Sequence, residues 1–178
     1  VTVNGDADPE ANEDLTVTLS NESSYGQFGT SLGTGTIDSD DAPGISVDDW
    51  SVLEGDAGTT IAQFNVSISH YLVTNDRYEV NYTIADVTAT ESGADDDYDF
   101  PGGLATGTVF LDDSLGDPQT KTVDITINGD VECEPDETLS ITLSDPGGGL
   151  LGGAVIIDAG GVGTIENDGD SDPFEFDF

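Results

Sequence analysis

The stretch Ile125-Thr-Ile-Asn-Gly-Asp-Val-Glu-Cys-Glu-Pro-Asp-Glu-Thr-Leu-Ser-Ile-Thr-Leu-Ser144 decides the fold, because two alternating segments flank an acidic turn. Residues 123–127 and 139–143 place apolar side chains on one face and polar ones on the other, as half-buried strands do. Similar segments occur at 45–52, 61–69, 78–84, 106–111, 154–157 and 161–165. Strands of this length between Gly, Asp, Asn and Pro turns predict an all-β antiparallel sandwich or barrel of about seven strands. The glycine-rich residues 146–153 are predicted to form the hairpin loop before the last strand.

The same acidic phrase opens the chain. Residues 1–20 align with 125–144 without a gap, with Asn4-Gly5-Asp6 matching Asn128-Gly129-Asp130, and residues 33–41 return as 161–169. Such self-similarity indicates a tandem array whose unit is roughly 125 residues long. The predicted organisation is a partial repeat at 1–41, a linker at 42–44, a complete domain at 45–170, and a further strand at 171–178.

The composition restricts the partners. The chain has 38 acidic residues but only one Lys and one Arg, for a formal charge of −36. This field repels phosphate, so nucleic acid is excluded as a partner, and so large a charge predicts a saline habitat or bound divalent cations. No run approaches the roughly 20 apolar residues of a membrane span. The single cysteine, Cys133, cannot form an internal disulfide and is expected to be a small, buried or half-buried filler.

A succession of short motifs carries a family resemblance. Ile45-Ser-Val-Asp-Asp-Trp-Ser-Val-Leu-Glu-Gly-Asp56, Tyr82-Thr-Ile-Ala-Asp86, Asp97-Tyr98, the acidic phrase at 128–144 and Gly163-Thr-Ile-Glu-Asn-Asp168 together resemble the Calx-beta domain. The resemblance covers 44 to about 170 as a full domain and 1–41 as the closing strands of another. It implies an immunoglobulin-like sandwich of seven strands, found in sodium–calcium exchangers, integrin beta-4 and large bacterial surface proteins, often with calcium in the loops at one end.

The acidic turns agree with a calcium site. Calcium takes six to eight oxygen ligands, so carboxylates from several loops must converge, and one pole of a sandwich can gather them. The candidate ligands are Glu54, Asp86, Asp97, Asp130, Glu134, Asp168 and Asp170 in the complete domain, and Asp6, Glu10, Asp40 and Asp41 in the partial repeat. With acids at about one position in five, any single Asp can instead be a turn former or a solvated charge. Gly169 interrupts the closing acids of the complete domain, which predicts a weaker site there.

Catalysis is not expected. The only histidine, His70, has no recognisable companion for a nucleophilic triad, and carboxylate pairs are uninformative in so acidic a chain. Two functions remain. The first is an extracellular or cell-surface calcium-binding repeat of a fibre, filament or large adhesin, in which copies or neighbouring repeats assemble head to tail. The alternative is a calcium-dependent binding or regulatory module that recognises a glycan or a protein.

The C-terminal tail bears on assembly. Phe174, Phe176 and Phe178 alternate with acids, which is the pattern of a strand that inserts into another sheet. The partial repeat would supply about three strands and leave an apolar face uncovered, so the tail of one copy is a candidate to complete the partial repeat of the next. The alternative is that the tail is the first strand of an ordinary following domain. Acceptor tripeptides for N-glycosylation begin at Asn21, Asn65 and Asn81, at a frequency close to chance.

Overall fold

The computed structural model describes residues 1–6, 12–20, 30–38, 41–69, 77–92, 96–112, 119–149 and 153–168. Within them the chain is almost entirely extended, with one 3₁₀ turn at Pro101–Gly103. The strands are β1 (Glu13–Thr18), β2 (Leu32–Ile37), β3 (Gly44–Val47), β4 (Trp50–Leu53), β5 (Gly58–Ile68), β6 (Arg77–Asp86), β7 (Tyr98–Asp99), β8 (Thr106–Asp112), β9 (Gln119–Gly129), β10 (Glu137–Gly148), β11 (Val155–Asp158) and β12 (Gly160–Glu166). No helix in the described ranges is long and apolar enough to cross a membrane.

Strands β3 to β12 form two five-stranded sheets. One has the order β4-β12-β10-β6-β8 and the other β11-β3-β5-β9-β7. Alternate residues of the long strands turn inward and form one core, in which Phe64, Tyr78, Tyr98, Ile125 and Leu139 are among the fully buried side chains. The all-β sandwich predicted from alternation is therefore confirmed.

The first and last strands of the sandwich each divide between the two sheets. β3 lies beside β11 in one sheet and β4 beside β12 in the other, and both pairs are parallel. Asp48 and Asp49 occupy the crossing point. The Asp48 carboxylate accepts hydrogen bonds from the backbone N–H of Asn65 (2.6 Å) and its Nδ2 (2.7 Å). Asp49 accepts one from the N–H of Val162 (2.7 Å) in the opposite sheet. About seven strands were expected, and ten strand segments are present. The two divided strands and the two-residue strand β7 account for the difference.

The direction of these strands separates the two ends of the domain. β3 begins at Gly44 and β4 ends at Leu53, which lies beside Glu166 at the end of the parallel strand β12. The chain therefore enters the sandwich at one pole and leaves it at the other. We call the second end, where β4, β6, β9 and β12 finish and β10 begins, the acidic pole.

Residues 1–41 contribute a separate hairpin to the described structure. β1 and β2 pair only with each other, from Glu13 opposite Ile37 to Thr18 opposite Leu32. The corresponding pair in the complete sandwich, β10 and β12, has Glu137 opposite Ile165.

Two local expectations are wrong. The predicted loop at 146–153 begins as a strand, because β10 continues to Gly148 and pairs with β6 again after a register shift between Ser144 and Gly147. A bulge keeps the ladder going where glycine content alone suggested a turn. Cys133 is exposed rather than buried, since it lies in the irregular acidic segment between β9 and β10.

Candidate metal centre

The acidic pole is built from segments that the sheet brings together. Glu54 follows β4, Asp168 follows the neighbouring β12, and Asp130 and Glu134 follow β9. Glu137 begins β10, which is antiparallel to β12. Adjacent strands thus deliver carboxylates to one end because each of them starts or stops there.

The glycine of the Asn128-Gly129-Asp130 motif is required for steric reasons. A Cβ at Gly129 would collide with the carbonyl oxygen of Gly55, so the end of β9 can approach the turn after β4 only when residue 129 is glycine. This approach brings Asp130 to the turn that contains Glu54. The Asp130 carboxylate accepts a hydrogen bond from the N–H of Glu132 (2.7 Å), which closes a local turn.

Asp97 is a buried carboxylate held in place by backbone groups. Its side chain is 5% exposed and accepts a hydrogen bond from the N–H of Thr90 (2.6 Å). Its own N–H donates to the carbonyl of Thr90 (3.0 Å), and its carbonyl accepts from the N–H of Asn128 (2.9 Å). These bonds fix the position of the carboxylate.

Asp97, Glu134 and Glu137 form the densest group. One carboxylate oxygen of each lies within 4.8 Å of the other two. Like charges this close repel strongly in a partly buried setting, unless a proton or a cation lies between them. The group therefore has the charge and spacing of a cation site.

Glu54 lies close to this group, and the negative charges there act on its carboxyl group. The side chain is 8% exposed. Burial raises the pKa of Glu54 to about 7, with further contributions from charges at the same pole. Those charges belong to Asp130, Glu134, Asp97 and Asp168, in decreasing order of effect.

Glu137 experiences the same environment. Burial raises its pKa to about 7, and a hydrogen bond with Asp97 contributes next. The charges of Asp97, Glu134 and Glu54 supply the remainder of this rise to about 7. Two carboxyl groups at the acidic pole thus keep their protons to a higher pH than an ordinary glutamate does.

The structure gathers five of the predicted ligands: Glu54, Asp97, Asp130, Glu134 and Asp168. Asp86 is also at this end of β6, but its carboxylate accepts a hydrogen bond from the Tyr98 hydroxyl (2.6 Å). Burial, followed by that bond, raises the pKa of Tyr98. Asp86 therefore has a structural partner already.

Of the four predicted ligands of the partial repeat, only Asp6 and Asp41 belong to the residues that the structure describes. Asp6 is exposed and Asp41 is half-buried, and neither belongs to the three-carboxylate group. Glu10, Asp40, Asp170, Phe174, Phe176 and Phe178 lie outside the described residues.

Sequence reasoning missed Glu137 and Asp56. Glu137 falls within the acidic phrase but also opens a strand pattern, although its identity with Glu13 in the repeat was a usable signal. Asp56 lies in the turn after β4, and a hydrogen bond with Asp168 raises its pKa. Nothing in the sequence distinguishes Asp56 from other acidic turn residues.

Neither positively charged side chain balances the pole. Lys121 lies 3.7 Å from Asp112, and Arg77 stacks on the Phe110 ring at 3.9 Å. Lys121 is eight residues before the end of β9, and Arg77 is at the start of β6, so both are more than about 25 Å along their strands from the acidic pole. The donor set there consists of oxygen atoms, which suits a hard cation such as calcium.

Together these features define a class of protein: a β-sandwich whose loops carry convergent carboxylates to one pole. Among solved structures, the chain is similar to the Calx CBD1 domain in its apo form, with a TM-score of 0.51, 17% identity, and coverage of 72% of this chain and 99% of that one. It is also similar to the Calx CBD2 domain, with a TM-score of 0.51, 15% identity, and coverage of 70% and 86%. The resemblance to Calx-beta domains is thus confirmed at the level of the fold. No protein-family model matches the sequence, and no curated protein matches it.

Proposed function

We propose that the sandwich is a calcium-binding module whose site is the acidic pole. The observation that carries this proposal is the convergence of Asp97, Glu134 and Glu137, with one oxygen of each within 4.8 Å of the others. A bound divalent cation would neutralise their charge and link the β9–β10 segment to the segment before β7. Glu54, Asp130 and Asp168 surround the group and complete the oxygen supply.

Calcium fits this donor set better than the common alternatives. Zinc is usually held by nitrogen and sulfur ligands, whereas the converging ligand atoms here are carboxylate oxygens. Magnesium demands near-octahedral geometry and keeps several waters, whereas calcium accepts six to eight oxygens in flexible arrangements. Several loops that each offer a carboxylate support the flexible, higher coordination.

The test is a calcium titration that follows both heat and thermal stability. We expect a Kd in the range of about 0.1 to 1 mM, typical of extracellular modules, and a Tm that rises with calcium by mass action. Magnesium at the same concentration should raise the Tm less. If millimolar calcium leaves the Tm of the wild type unchanged and releases no binding heat, the proposal fails.

Substitutions of single acidic residues test which of them bind calcium. Glu134→Gln and Glu137→Gln should each weaken calcium binding by at least about tenfold, because each removes a charged ligand from the centre. Asp124→Asn is the matched control, since Asp124 is an exposed acid in the middle of β9 and accepts a hydrogen bond from Gln63 (2.9 Å). It removes the same unit of charge away from the pole. Equal losses in all three variants would indicate a general effect of net charge rather than a site.

We further propose that the module is a link in an extracellular or cell-surface array. The chain enters the sandwich at Gly44 and leaves it beside the acidic pole, so calcium there would lie at the junction with whatever follows residue 168. The net charge of −36 fits a compartment with salt or millimolar calcium. These features favour a tandem fibre, filament or adhesin in which one unit contacts the next head to tail.

The tail provides the test of assembly. If Phe174, Phe176 and Phe178 insert into a neighbouring copy, deleting residues 172–178 should abolish concentration-dependent growth in light scattering and filaments in negative stain. A heterologous contact of this kind grows open filaments rather than closed dimers. Assembly that is undiminished without the tail would rule out strand donation.

A further inference from the structure

A groove lies on the open side of the sandwich, between β8 of one sheet and β9 of the other. It has a volume of ≈ 460 Å³, and the buried side chains of Val109 and Val123 are part of its lining. The ion pair between Lys121 and Asp112 joins the two strands at one end of it. The lining part of β8, residues 108–112, spans about 14 Å, which is the length of a short extended segment.

Both strands that border the groove have edges without a partner strand in the described structure. β8 is the outermost strand of its sheet, and β7 pairs with β9 only at Ile127 and Thr126. Among the described strands, none pairs with the outer edge of β9 over residues 119–125. A strand edge presents N–H and C=O groups, and an added extended segment can pair with them. These two edges favour a polypeptide ligand over a compact small molecule.

The positive charge of the chain is concentrated at this groove. Lys121 lines it, and Arg77 stacks at 3.9 Å on the ring of Phe110, which also lines it. These are the only Lys and Arg in a chain with 38 acidic residues. An anionic partner is therefore repelled less here than at the acidic pole. Because Asp112 and Asp124 also line the groove, acids of a partner are favoured only beside the two cations.

Aromatic side chains add apolar surface to the groove. Tyr82 is opposite Gly107 in the ladder of β6 and β8, and a Cβ at residue 107 would collide with the Tyr82 hydroxyl. Glycine at 107 therefore allows the Tyr82 ring to lie over β8 and line the groove. Phe110 is 40% exposed on the outer face of β8. The groove thus combines apolar surface, two cations and unpaired strand edges.

We propose that the groove is a docking site for an extended polypeptide segment in which apolar and acidic side chains alternate. The segment pairs with the edge of β8. Its apolar side chains face Val109 and Val123 on the inner side, and its acids lie on the outer side near Arg77. Binding is independent of calcium, because the residues that line the groove do not belong to the acidic pole.

An NMR titration with a synthetic peptide tests the proposal. The stretch Ser171-Asp-Pro-Phe-Glu-Phe-Asp-Phe178 has the required chemistry, so a peptide of this sequence is the probe. It is added to the full chain carrying Phe174→Ser, Phe176→Ser and Phe178→Ser, so that the same stretch of the chain does not compete. We expect saturable amide shifts in residues 106–112 and 119–125, equal with and without calcium.

A backbone change in the peptide provides the first control. N-methylation at Glu175 and Phe176 keeps every side chain and charge, but it removes two adjacent N–H donors. Neighbouring N–H groups of a strand point to opposite edges, so one of the two must face β8. The methylated peptide should bind at least about tenfold more weakly, because a ladder hydrogen bond is lost and the methyl group blocks the edge.

Substitutions in the protein test the role of charge. Lys121→Gln and Arg77→Gln should each weaken the unmodified peptide by about two- to fivefold, the range of exposed ion pairs, and Lys121→Arg should restore binding. Asp124→Asn should strengthen binding by a similar factor, because it removes a like charge from the groove. Asp158→Asn is the matched control, since Asp158 is an exposed acid on β11, at the opposite edge of the sheet that contains β9. It should change the affinity by less than about 1.5-fold, because salt screens distant exposed charges.

Four results would overturn the proposal. The first is no saturable shift at up to about 1 mM peptide, and the second is equal binding of the methylated peptide. The third is a set of shifts confined to residues 13–18 and 32–37, which would place the peptide on the β1–β2 hairpin. The fourth is a peptide-free chain that forms dimers in light scattering with its β8 edge amides already protected, which would assign the groove to a second copy.

Discussion

Replacing Glu54 by glutamine should stabilise the calcium-free protein while weakening its response to calcium. The side chain is 8% exposed, and burial with the surrounding acids raises its pKa from 4.5 to about 7. The folded protein therefore binds more protons at this residue than the unfolded chain does between these values. The stability associated with Glu54 is fully present below pH 4.5 and is lost as the pH rises through about 7.

The size of the effect follows from the same interval. At about 1.36 kcal/mol per pH unit, ionising Glu54 in the folded state costs about 3 kcal/mol at pH 8. Glutamine is neutral at every pH and has nearly the same shape. We therefore expect Glu54→Gln to raise the calcium-free Tm at pH 8 by roughly 10 °C, and to change it little near pH 4.5.

Thermal unfolding at the two pH values, with and without about 10 mM calcium, is the assay. For a Kd of about 0.1 to 1 mM, calcium stabilises the wild type by about 1.4 to 2.7 kcal/mol, and the variant should gain less than half of that. Asp124→Asn should show neither effect, because Asp124 is exposed and distant from the pole. A Glu54→Gln variant that is less stable than the wild type at pH 8, or that responds fully to calcium, would refute the reasoning.

Two further predictions concern the framework. Gly129→Ala should lower the free energy of unfolding by about 1 to 3 kcal/mol in urea titrations, because its Cβ meets the Gly55 carbonyl, whereas Gly153→Ala, which faces open space, should change it by less than about 0.5 kcal/mol. Equal effects would mean that the close approach after β4 does not constrain residue 129. Leu139→Ala should cost about 2 to 5 kcal/mol, and the equivalent Leu15→Ala should leave the unfolding of the sandwich unchanged within about 0.5 kcal/mol. A comparable loss from Leu15→Ala would show that the hairpin packs into the same cooperative unit.

The long strands could be predicted because their alternation records a local constraint. Every second residue from Ala62 to Ile68 and from Val123 to Ile127 is buried. The alternation of apolar residues in the sequence therefore indicated both the strand period and the position of each strand. The division of the first and last strands was not readable. It depends on Asp48 and Asp49 bonding to different sheets, and a turn-like Asp-Asp pair gives no sign of where its partners lie. The extension of β10 through glycines and the exposure of Cys133 could not be predicted either, because both depend on how distant parts of the chain are arranged.

The acidic pole was predictable as a location and less so as a set of residues. Asp97, Asp130 and Glu134 were identified because acids at strand ends must meet at one end of a sandwich. Glu137 was overlooked because it is also the first residue of a strand, and only the fold shows that its side chain lies beside Asp97. The sequence could not show that the Asp86 carboxylate accepts a hydrogen bond from the Tyr98 hydroxyl. The two residues lie in separate segments, and sequence spacing does not reveal such a contact.

The parallel pairing of β4 with β12 has a mechanical consequence. Gly44 and Asp168 lie at opposite poles, so tension applied between these two residues pulls the first and last strands in opposite directions along their shared ladder. From Trp50 to Leu53, backbone hydrogen bonds join the two strands and would be loaded in shear, so they would have to break together rather than one at a time. The outcome of pulling is set by the unfolding rate, not by equilibrium stability. The domain is therefore built to resist stretching along its own chain direction.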